Sequence, residues 1–391
     1  MSAIAGPFRR FGGWLTRMPL LANVAVMLVV AGLVTFGSVG LVGANFGAGQ
    51  SGLEQLKVAL MITGGIGGVV ALVVAYRRQR LGEAAEEREE GRLFNERFAT
   101  ASTLLGSDHA ASRLAGVYAM ASLADDWDAE RQTCINVLCA YIRMPYEPPR
   151  QRAPVDVSAE QHRKDYREAR QERNIRRAVM NSIGSRLRKT PEAGKTWHGH
   201  DFFFSGAVID GGNLTSARFT GGRVSFDRAT FAGGAASFDR AEFTGGRVSF
   251  DRAEFAEGRV SFEGASFIDG RVTFVVSKIA SGTFSMLGAR FTGGEVNFGG
   301  ARITGGAVFF IGAEFSGGTV SFERVKAVGG RISFSDAEFS GSEVSFLGAE
   351  FAGGIIELRS PLSYDVPPVF DKFPGGPPVG ILKLPDPPKQ A

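Results

Sequence analysis

The sequence of 391 residues is poor in the features on which most enzymes and secreted proteins depend. It has two cysteines, Cys134 and Cys139, and on one helix their side chains would point in different directions and could not form a disulfide. No proline occurs between Pro191 and Pro361, so no strand in this stretch would lose a hydrogen-bond donor. No nucleophile elbow, phosphate-binding loop or dinucleotide fingerprint occurs in a strand–turn–helix setting. We therefore predict no catalytic residue, no cofactor and no metal site, and a protein that is not an enzyme.

Charged residues are missing from Pro19 to Leu53, and a second apolar run follows. The apolar parts, residues 20–42 and 57–76, are each long enough to cross about 30 Å of hydrocarbon. A cleaved secretory signal is the alternative for the first run, but the run is longer than a signal's apolar core and a second span follows it. We predict an N-terminal membrane anchor, residues 1–80, that forms a hairpin of two transmembrane helices.

Positive charges flank the predicted hairpin on both outer sides. They are Arg9, Arg10 and Arg17 before the first span, and Arg77, Arg78 and Arg80 after the second. Because such flanks stay cytoplasmic, we expect a multi-pass protein of the inner (cell) membrane with both termini in the cytoplasm. The motif Gly64-x-x-x-Gly68 suits close helix packing, either within the hairpin or in a homo-oligomer. The lipid bilayer is thus one predicted partner.

An aromatic or aliphatic residue recurs at alternating steps of seven and five from Phe219 to Leu358. The unit reads TGGRVSFDRAEF and contains two short segments, A-x-F and V-x-F, whose apolar residues are two apart, as on one face of a strand. A fixed repeat of this kind predicts a solenoid, in which each unit buries its apolar face against its neighbours. The middle residues, such as Ser225 and Ser249, are polar, which predicts that they face solvent.

The period of the predicted coil is 24 residues, because the departures from phenylalanine fall in alternate 12-residue units. One phase is uniform, and we predict that its phenylalanines form the structural core: Phe219, Phe226, Phe243, Phe250, Phe267, Phe274, Phe291, Phe298, Phe315, Phe322, Phe339 and Phe346. The other phase contains the exceptions Ile279, Met286, Ile303, Ala327 and Leu358. Two units therefore make one coil with four inward phenylalanine positions. The exceptions are compensated in volume, since Val325 accompanies Ala327 and Phe284 accompanies Met286.

Segments such as SGAVIDGGNLTSARF and DRAEF, with a small residue two before a leucine or phenylalanine, resemble pentapeptide-repeat proteins over roughly residues 201–358. The resemblance implies a right-handed quadrilateral β-solenoid. The expected fold class is therefore mainly β: a pentapeptide-like solenoid of 24-residue coils at 197–358, with an N-terminal transmembrane α-hairpin and a small helical region. The chain departs from the family's coil of four fives, because each coil here has two faces of seven residues.

The segments between the anchor and the solenoid are predicted to be helical. Residues 81–147 resemble the helical region of actinobacterial membrane-anchored pentapeptide-repeat proteins. Residues 148–196 are predicted to be a linker and a basic amphipathic helix that begins at a capping box of Ser158 and Gln161. Eleven basic and four acidic residues between 163 and 195 leave three roles open: capping the first coil, contacting anionic lipid, or contacting nucleic acid.

Two short segments border the predicted solenoid. Before it, the segment WHGHD (residues 197–201) is interpreted as a capping Trp197 with surface histidines, the alternative being a His-x-His metal pair without evident further ligands. After it, the Pro-rich tail 359–391 is predicted to cover the last coil with Tyr364, Phe370 and Phe373.

The predicted solenoid has a surface of mixed charge, with 13 Lys/Arg and 16 Asp/Glu in residues 219–358. Arg223 and Arg247 share one repeat position, and we expect Asp227 and Asp251, four positions on, to offset their repulsion. We predict a membrane-anchored, non-catalytic protein that presents a cytosolic β-solenoid as a protein-interaction or structural scaffold, with an unknown protein partner. The alternative is a nucleic-acid mimic that interacts with DNA gyrase, as acidic pentapeptide-repeat proteins do. Direct binding of nucleic acid is not expected.

Overall fold

The computed structural model describes residues 29, 32, 33, 36, 37, 52–152, 157–190, 195–358 and 361–371. The chain divides into two units, Met1–Leu93 and Phe94–Ala391. The first predicted transmembrane span, residues 20–42, lies outside the described residues apart from five positions. Within the described ranges, no helix combines the length and the apolar character needed to cross a membrane.

From residue 52 onward the described helices precede the strands. Their bounds are α1 Gly52–Leu105, α2 Ala110–Asp126, α3 Arg131–Arg143 and α4 Ala159–Leu187. Helices α2, α3 and α4 pack on one another around fully buried side chains such as Met120, Leu138 and Val179. The Ser158 hydroxyl caps α4 by accepting a hydrogen bond from the backbone N–H of Gln161, so the predicted start of this helix is confirmed.

Twenty-four short strands follow in the described residues, and the pairings between them are all parallel. The first sheet contains β1 Phe202–Phe203, β4 Arg218–Phe219, β5 Arg223–Ser225, β8 Glu242–Ser249, β11 Ser266–Thr273, β14 Arg290–Asn297, β17 Glu314–Ser321, β20 Glu338–Phe339, β21 Glu343–Ser345 and β24 Ser363–Tyr364. The second contains β2 Val208–Ile209, β6 Thr230–Phe231, β9 Glu254–Phe255, β12 Lys278–Ile279, β15 Arg302–Ile303, β18 Lys326–Ala327 and β22 Glu350–Phe351. The third contains β3 Gly212–Asn213, β7 Ala235–Ser237, β10 Arg259–Ser261, β13 Thr283–Ser285, β16 Ala307–Phe309, β19 Arg331–Ser333 and β23 Ile355–Glu357.

These strands build a parallel β-solenoid whose coils are 24 residues apart from Arg218 to Ser345, as the two phases of the repeat predict. The preceding step is two residues shorter, since Phe202 pairs with Val224 and Val208 with Thr230. In the coil of residues 241–264, face 1 ends at the inward Phe243, face 2 at Phe250, face 3 at Phe255 and face 4 at Phe262. The long strands of the first sheet run through faces 1 and 2, while faces 3 and 4 form the second and third sheets. Seven strands in each of the last two sheets correspond to about seven coils.

Phenylalanine rings form continuous columns inside the solenoid. The face 2 column has neighbouring centroids 4.6 to 4.9 Å apart and contains Phe204, Phe226, Phe250, Phe274, Phe298, Phe322, Phe346 and Phe370. Phe226 and Phe250, for example, are 4.9 Å apart with ring planes 4° from parallel. The structure places all twelve proposed core phenylalanines in the face 1 and face 2 columns, where each is buried. Because a stacked ring meets rings above and below, each coil depends on its neighbours for burial.

The columns of faces 3 and 4 contain the residues that replace phenylalanine. Ala327 and its larger companion Val325 are both buried. Beside the buried Met286, Phe284 turns its ring edge-on to Phe274, with centroids 5.4 Å apart and planes at 89°. A smaller side chain at one inward position of a face is therefore accompanied by a larger side chain at the other inward position, as a close-packed interior requires.

The prediction that the middle residues of V-x-F face solvent is wrong for several serines. Ser225 and Ser249 are only 5% and 6% exposed. The Ser249 hydroxyl accepts the backbone N–H of Asp251 in the following turn and donates a hydrogen bond to the Asp227 carboxylate of the preceding coil. Period-two alternation identifies the inward side, but it does not show which outward positions a turn covers.

Both ends of the solenoid are covered by other parts of the chain. At the first coil, α3 contacts β1 and β2, and α4 contacts β3. The predicted capping tryptophan, Trp197, is fully buried, and its indole N–H donates to Asp125 over 3.0 Å. At the last coil, Tyr364 pairs with Phe339 and the Phe370 ring stacks on Phe346 at 4.7 Å. Phe373, which we also assigned to this cover, lies outside the described residues.

The columns predict the effect of removing one ring. Phe298→Ala should lower the free energy of unfolding by about 3–5 kcal/mol, because the site keeps a cavity between two rings. Phe309→Ala is the matched control, since this ring is at an outward, half-buried position of face 4. Phe309→Ala should lower the free energy of unfolding by a clearly smaller amount. Denaturant unfolding followed by circular dichroism compares the two, and equal losses would contradict the column assignment.

One turn position forces non-glycine residues into a left-handed conformation. Val276 has φ of +57°, and Gly300 and Gly348, one and three coils later, have φ of +66° and +69° at the same position. A β-branched residue is strained in this region because its side chain clashes with the backbone. Val276 is also 52% exposed, so its side chain gains little from burial.

Val276→Gly should therefore raise the free energy of unfolding by up to about 1 kcal/mol through relief of that strain. The neighbouring Val275→Gly is the control, because Val275 is not among the residues with positive φ. That change should lower the free energy of unfolding by about 0.5–1 kcal/mol through backbone entropy. The sign of the two changes in denaturant midpoint is the test, and two equal decreases would show that Val276 is unstrained.

Candidate interaction surface

In-register stacking places the outward residues of successive coils in straight rows. The face 2 row is Arg223, Arg247, Arg271, Glu295, Thr319 and Glu343, whose backbones pair one after another. Its first half is basic and its second half is polar to acidic. Since adjacent strands are about 4.8 Å apart, the row extends over about 24 Å.

The basic half of the face 2 row is incompletely neutralised. Arg271 pairs with Glu295 over 2.8 Å. In the part of the chain that the structure describes, no carboxylate lies within 4.0 Å of the guanidinium groups of Arg223 or Arg247. Asp227 and Asp251 therefore form no ion pair with these two arginines.

The nearby carboxylates are engaged elsewhere. Asp227 accepts the hydroxyl of Ser249, and Asp251 accepts the backbone N–H of Val275 over 2.9 Å. Asp201 accepts the backbone N–H of Arg223 over 2.7 Å. These acidic groups therefore hold the turns of neighbouring coils together, and the arginine side chains remain exposed.

A corner of bare backbone runs beside the arginines. An open groove of about 510 Å³ is lined by Arg223, Arg247 and Arg271, by Gly222 and Gly246, and by the acidic Asp201. Gly246 has φ of +72°, and a Cβ added there would lie 2.6 Å from the carbonyl oxygen of Gly222 in the preceding coil. The stacking of coils thus requires glycine at this corner, and another molecule can approach the row without meeting side chains there.

The outward row of face 3 behaves differently. This face 3 row is Thr230, Glu254, Lys278, Arg302, Lys326 and Glu350. Lys278 pairs with Glu254 over 2.7 Å, and Lys326 pairs with Glu350 over 2.9 Å. The face 3 row therefore neutralises most of its own charge within one chain.

The basic helix α4 uses its buried side to cap the first coil. Arg176 is 5% exposed and donates to the carbonyl oxygens of Tyr141 over 3.2 Å and Val208 over 3.3 Å. Its guanidinium also lies 4.6 Å from the ring centre of Tyr146, whose hydroxyl donates to the buried Asp210 over 3.1 Å. This polar junction fixes the helix on the coil, because a buried charge is tolerated only with several partners. Sequence analysis did not identify it.

The two histidines of WHGHD are held by protein groups. The ring of His198 contacts the carbonyl oxygen of Leu187 at 2.9 Å, and the ring of His200 contacts the side-chain oxygen of Gln132 at 3.1 Å. Both are half-buried, so the expectation of surface histidines is wrong. Burial, and then the charge of Arg131, lowers the pKa of His200. Among the residues that the structure describes, no three His, Cys, Asp or Glu side chains are grouped as metal ligands.

The two cysteines are buried in α3 and are not bonded to each other. Burial raises the pKa of Cys134 and of Cys139 to about 12. Both thiols therefore stay protonated at neutral pH, which makes them poor nucleophiles.

Comparison of this chain with protein-family models, with curated proteins and with solved structures found no match. The function is therefore inferred from the surface and the fold.

Tyrosines with raised pKa values lie in the covers at both ends of the solenoid. Burial, and then the charge of Glu172, raises the pKa of Tyr141 to about 12, and the Tyr141 hydroxyl donates to Glu172 over 3.1 Å. Burial, and then Asp210, raises the pKa of Tyr146. Burial also raises the pKa of Tyr364 in the C-terminal cover to about 12.

These shifts predict a loss of stability in alkali. An unfolded tyrosine titrates near pH 10. The contribution of Tyr141 to the free energy of unfolding is therefore fully present below about pH 10 and is lost as the pH rises towards about 12. Tyr141→Phe should lose less stability over this window than the unmodified chain, while Tyr118→Phe, at an exposed position, should behave like the unmodified chain. The test is to measure the denaturant midpoint of the unmodified chain and of both variants between roughly pH 9 and pH 11.5. Midpoints that fall in parallel with pH for all three proteins would contradict the prediction.

Proposed function

We propose that this chain is a membrane-anchored, non-catalytic protein that presents a cytosolic β-solenoid of the pentapeptide-repeat type as a protein-interaction or structural scaffold. The observation that carries the proposal is the division of each coil into two kinds of position. Inward positions are filled by stacked rings, as at Phe226 and Phe250, while outward positions repeat charged side chains in straight rows. Such a surface offers a long, regular set of contacts to a macromolecule.

Two features support the pentapeptide-repeat type. Each coil has four faces, and an alanine or a valine precedes most of the inward rings by two positions, as Ala241 precedes Phe243 and Val248 precedes Phe250. The proposed solenoid is right-handed and quadrilateral, with faces 1 and 3 short and faces 2 and 4 one residue longer in the strand. The glycine corners account for the additional residues of this coil.

Anchoring is supported by the N-terminal sequence and by the described part of α1. The run from Pro19 to Leu53 lacks charge, and arginines flank the proposed hairpin on its outer sides. In α1, Met61, Leu72 and Tyr76 expose 76%, 72% and 58% of their surface. Large apolar side chains exposed on one helix favour contact with an apolar phase.

Membrane extraction tests the anchor. The full-length chain should remain in the membrane pellet after alkaline carbonate treatment, and a variant without residues 1–80 should be recovered in the supernatant with its β-solenoid circular dichroism intact. A reporter fused after residue 391 should be active only in the cytoplasm. Release of the full-length chain by carbonate would contradict the anchor.

Crosslinking in cells followed by mass spectrometry tests the scaffold. Crosslinks to one defined protein should fall on outward positions of the solenoid, such as Arg302 and Arg247. Crosslinks confined to α2 and α3 would contradict a scaffold role for the solenoid and would leave the anchor unaffected.

A further inference from the structure

The charges of the face 2 row are ordered so that two copies of the row, placed side by side in opposite directions, bring unlike charges together. From Arg223 to Glu343 it runs basic, basic, basic, acidic, polar, acidic, and the acidic Asp201 lies beside Arg223 in the preceding coil. If a second copy lies face to face and antiparallel, Arg223 is opposite Glu343 of the other copy and Arg247 is opposite Thr319. Arg271 is opposite Glu295, so no two like charges oppose each other along this row.

Reversed about the midpoint of the same six coils, the outward rows of the other three faces each place like charges opposite one another. Reversal of the face 3 row places Lys278 opposite Arg302. In the face 1 row, which is Arg218, Glu242, Ser266, Arg290, Glu314 and Glu338, it places Glu242 opposite Glu314. In the face 4 row, which is Ala235, Arg259, Thr283, Ala307, Arg331 and Ile355, it places Arg259 opposite Arg331. Like charges at such distances disfavour pairing through these three faces in this register.

We infer that two copies of this chain associate antiparallel through face 2, with a two-fold axis between the coils of Arg271 and Glu295. The uncompensated guanidinium groups of Arg223 and Arg247 gain acidic and polar partners in this arrangement. The glycine corner at Gly222 and Gly246 allows the two backbones to approach closely. A two-fold axis makes the contact isologous, so it closes at a dimer and does not propagate.

This inference goes beyond the scaffold role, because it identifies a second copy of the same chain as one partner and does not require the membrane anchor. Exposed ion pairs are individually weak, so the charge order sets the orientation of the pair more than its affinity. The association should therefore weaken as salt is added.

Disulfide trapping in the purified full-length chain tests the geometry. The variant Arg247→Cys/Thr319→Cys should form covalent dimers under mild oxidation at low salt, because each new cysteine faces its counterpart in the other copy. Within one chain the two positions are three coils, about 14 Å, apart, which a disulfide cannot span. The native cysteines, Cys134 and Cys139, are buried and should not contribute.

Two controls define the orientation. Glu254→Cys/Lys326→Cys has the same three-coil separation on face 3 and should form no dimer above background. Arg247→Cys alone should not form dimers, since the antiparallel arrangement separates the two copies of residue 247. Efficient dimerisation of this single variant would indicate a parallel pair and overturn the inference, as would a yield for Arg247→Cys/Thr319→Cys no higher than that of the face 3 control.

Charge exchange tests the pairing. Added to the trapping variant, Arg223→Glu should reduce the dimer yield several-fold, and Arg223→Glu combined with Glu343→Arg should restore it, because the exchanged charges again face each other. Circular dichroism confirms that each variant is folded. A combined variant that remains monomeric while folded would indicate that the arginines bind some other anion, and would overturn the inference.

Discussion

Ring stacking at a fixed interval of 24 residues is the constraint on which the rest of this molecule depends. A phenylalanine such as Phe250 has ring neighbours at 4.9 Å below and 4.7 Å above, nearly parallel in both cases. That spacing matches the distance between hydrogen-bonded strands, so the rings and the backbone ladders reinforce one register. A slip of one residue would turn an entire column towards solvent, which makes the register difficult to change.

The open ends of such a stack are its weak points, because the last ring on each side lacks a neighbour. The chain covers the first coil with α3, α4 and Trp197, and it covers the last coil with Tyr364 and Phe370. The first cover depends on polar chemistry as well as on apolar packing. Arg176 and Asp210 are both nearly excluded from solvent, and each remains there because backbone carbonyls or a tyrosine hydroxyl satisfy part of its hydrogen-bonding capacity. The two covers thus use different interactions for the same purpose.

The sequence predicted the solenoid well because the pattern of inward apolar residues repeats in every coil. It predicted the surface poorly because contacts between outward side chains do not follow that repeat. The separation of Ile279 and Ala327 from the uniform phenylalanines was enough to establish the 24-residue coil. The same pattern could not show that Asp227 turns towards Ser249, since turn geometry is not encoded in the alternation of apolar residues. Contacts between α4 and the first coil, such as Arg176 with Val208, join segments that no periodicity relates. Both transmembrane spans stay sequence-based predictions.

Because the interior is complete without any outward side chain, the outward positions can diverge from one face to another without affecting the fold. Faces 2 and 3 illustrate this freedom. On face 3, Lys278 and Lys326 find carboxylates on adjacent coils of the same chain. On face 2 Glu295 and Glu343 lie in the later coils, and among the described residues no carboxylate lies within 4.0 Å of the guanidinium group of Arg223 or Arg247. Uncompensated charge at fixed spacing is unfavourable in an isolated rod, since like charges on neighbouring strands repel. The uncompensated charge on face 2 is most simply explained if this face binds a surface whose charges run in the opposite order. A second, antiparallel copy of the chain presents its charges in that order.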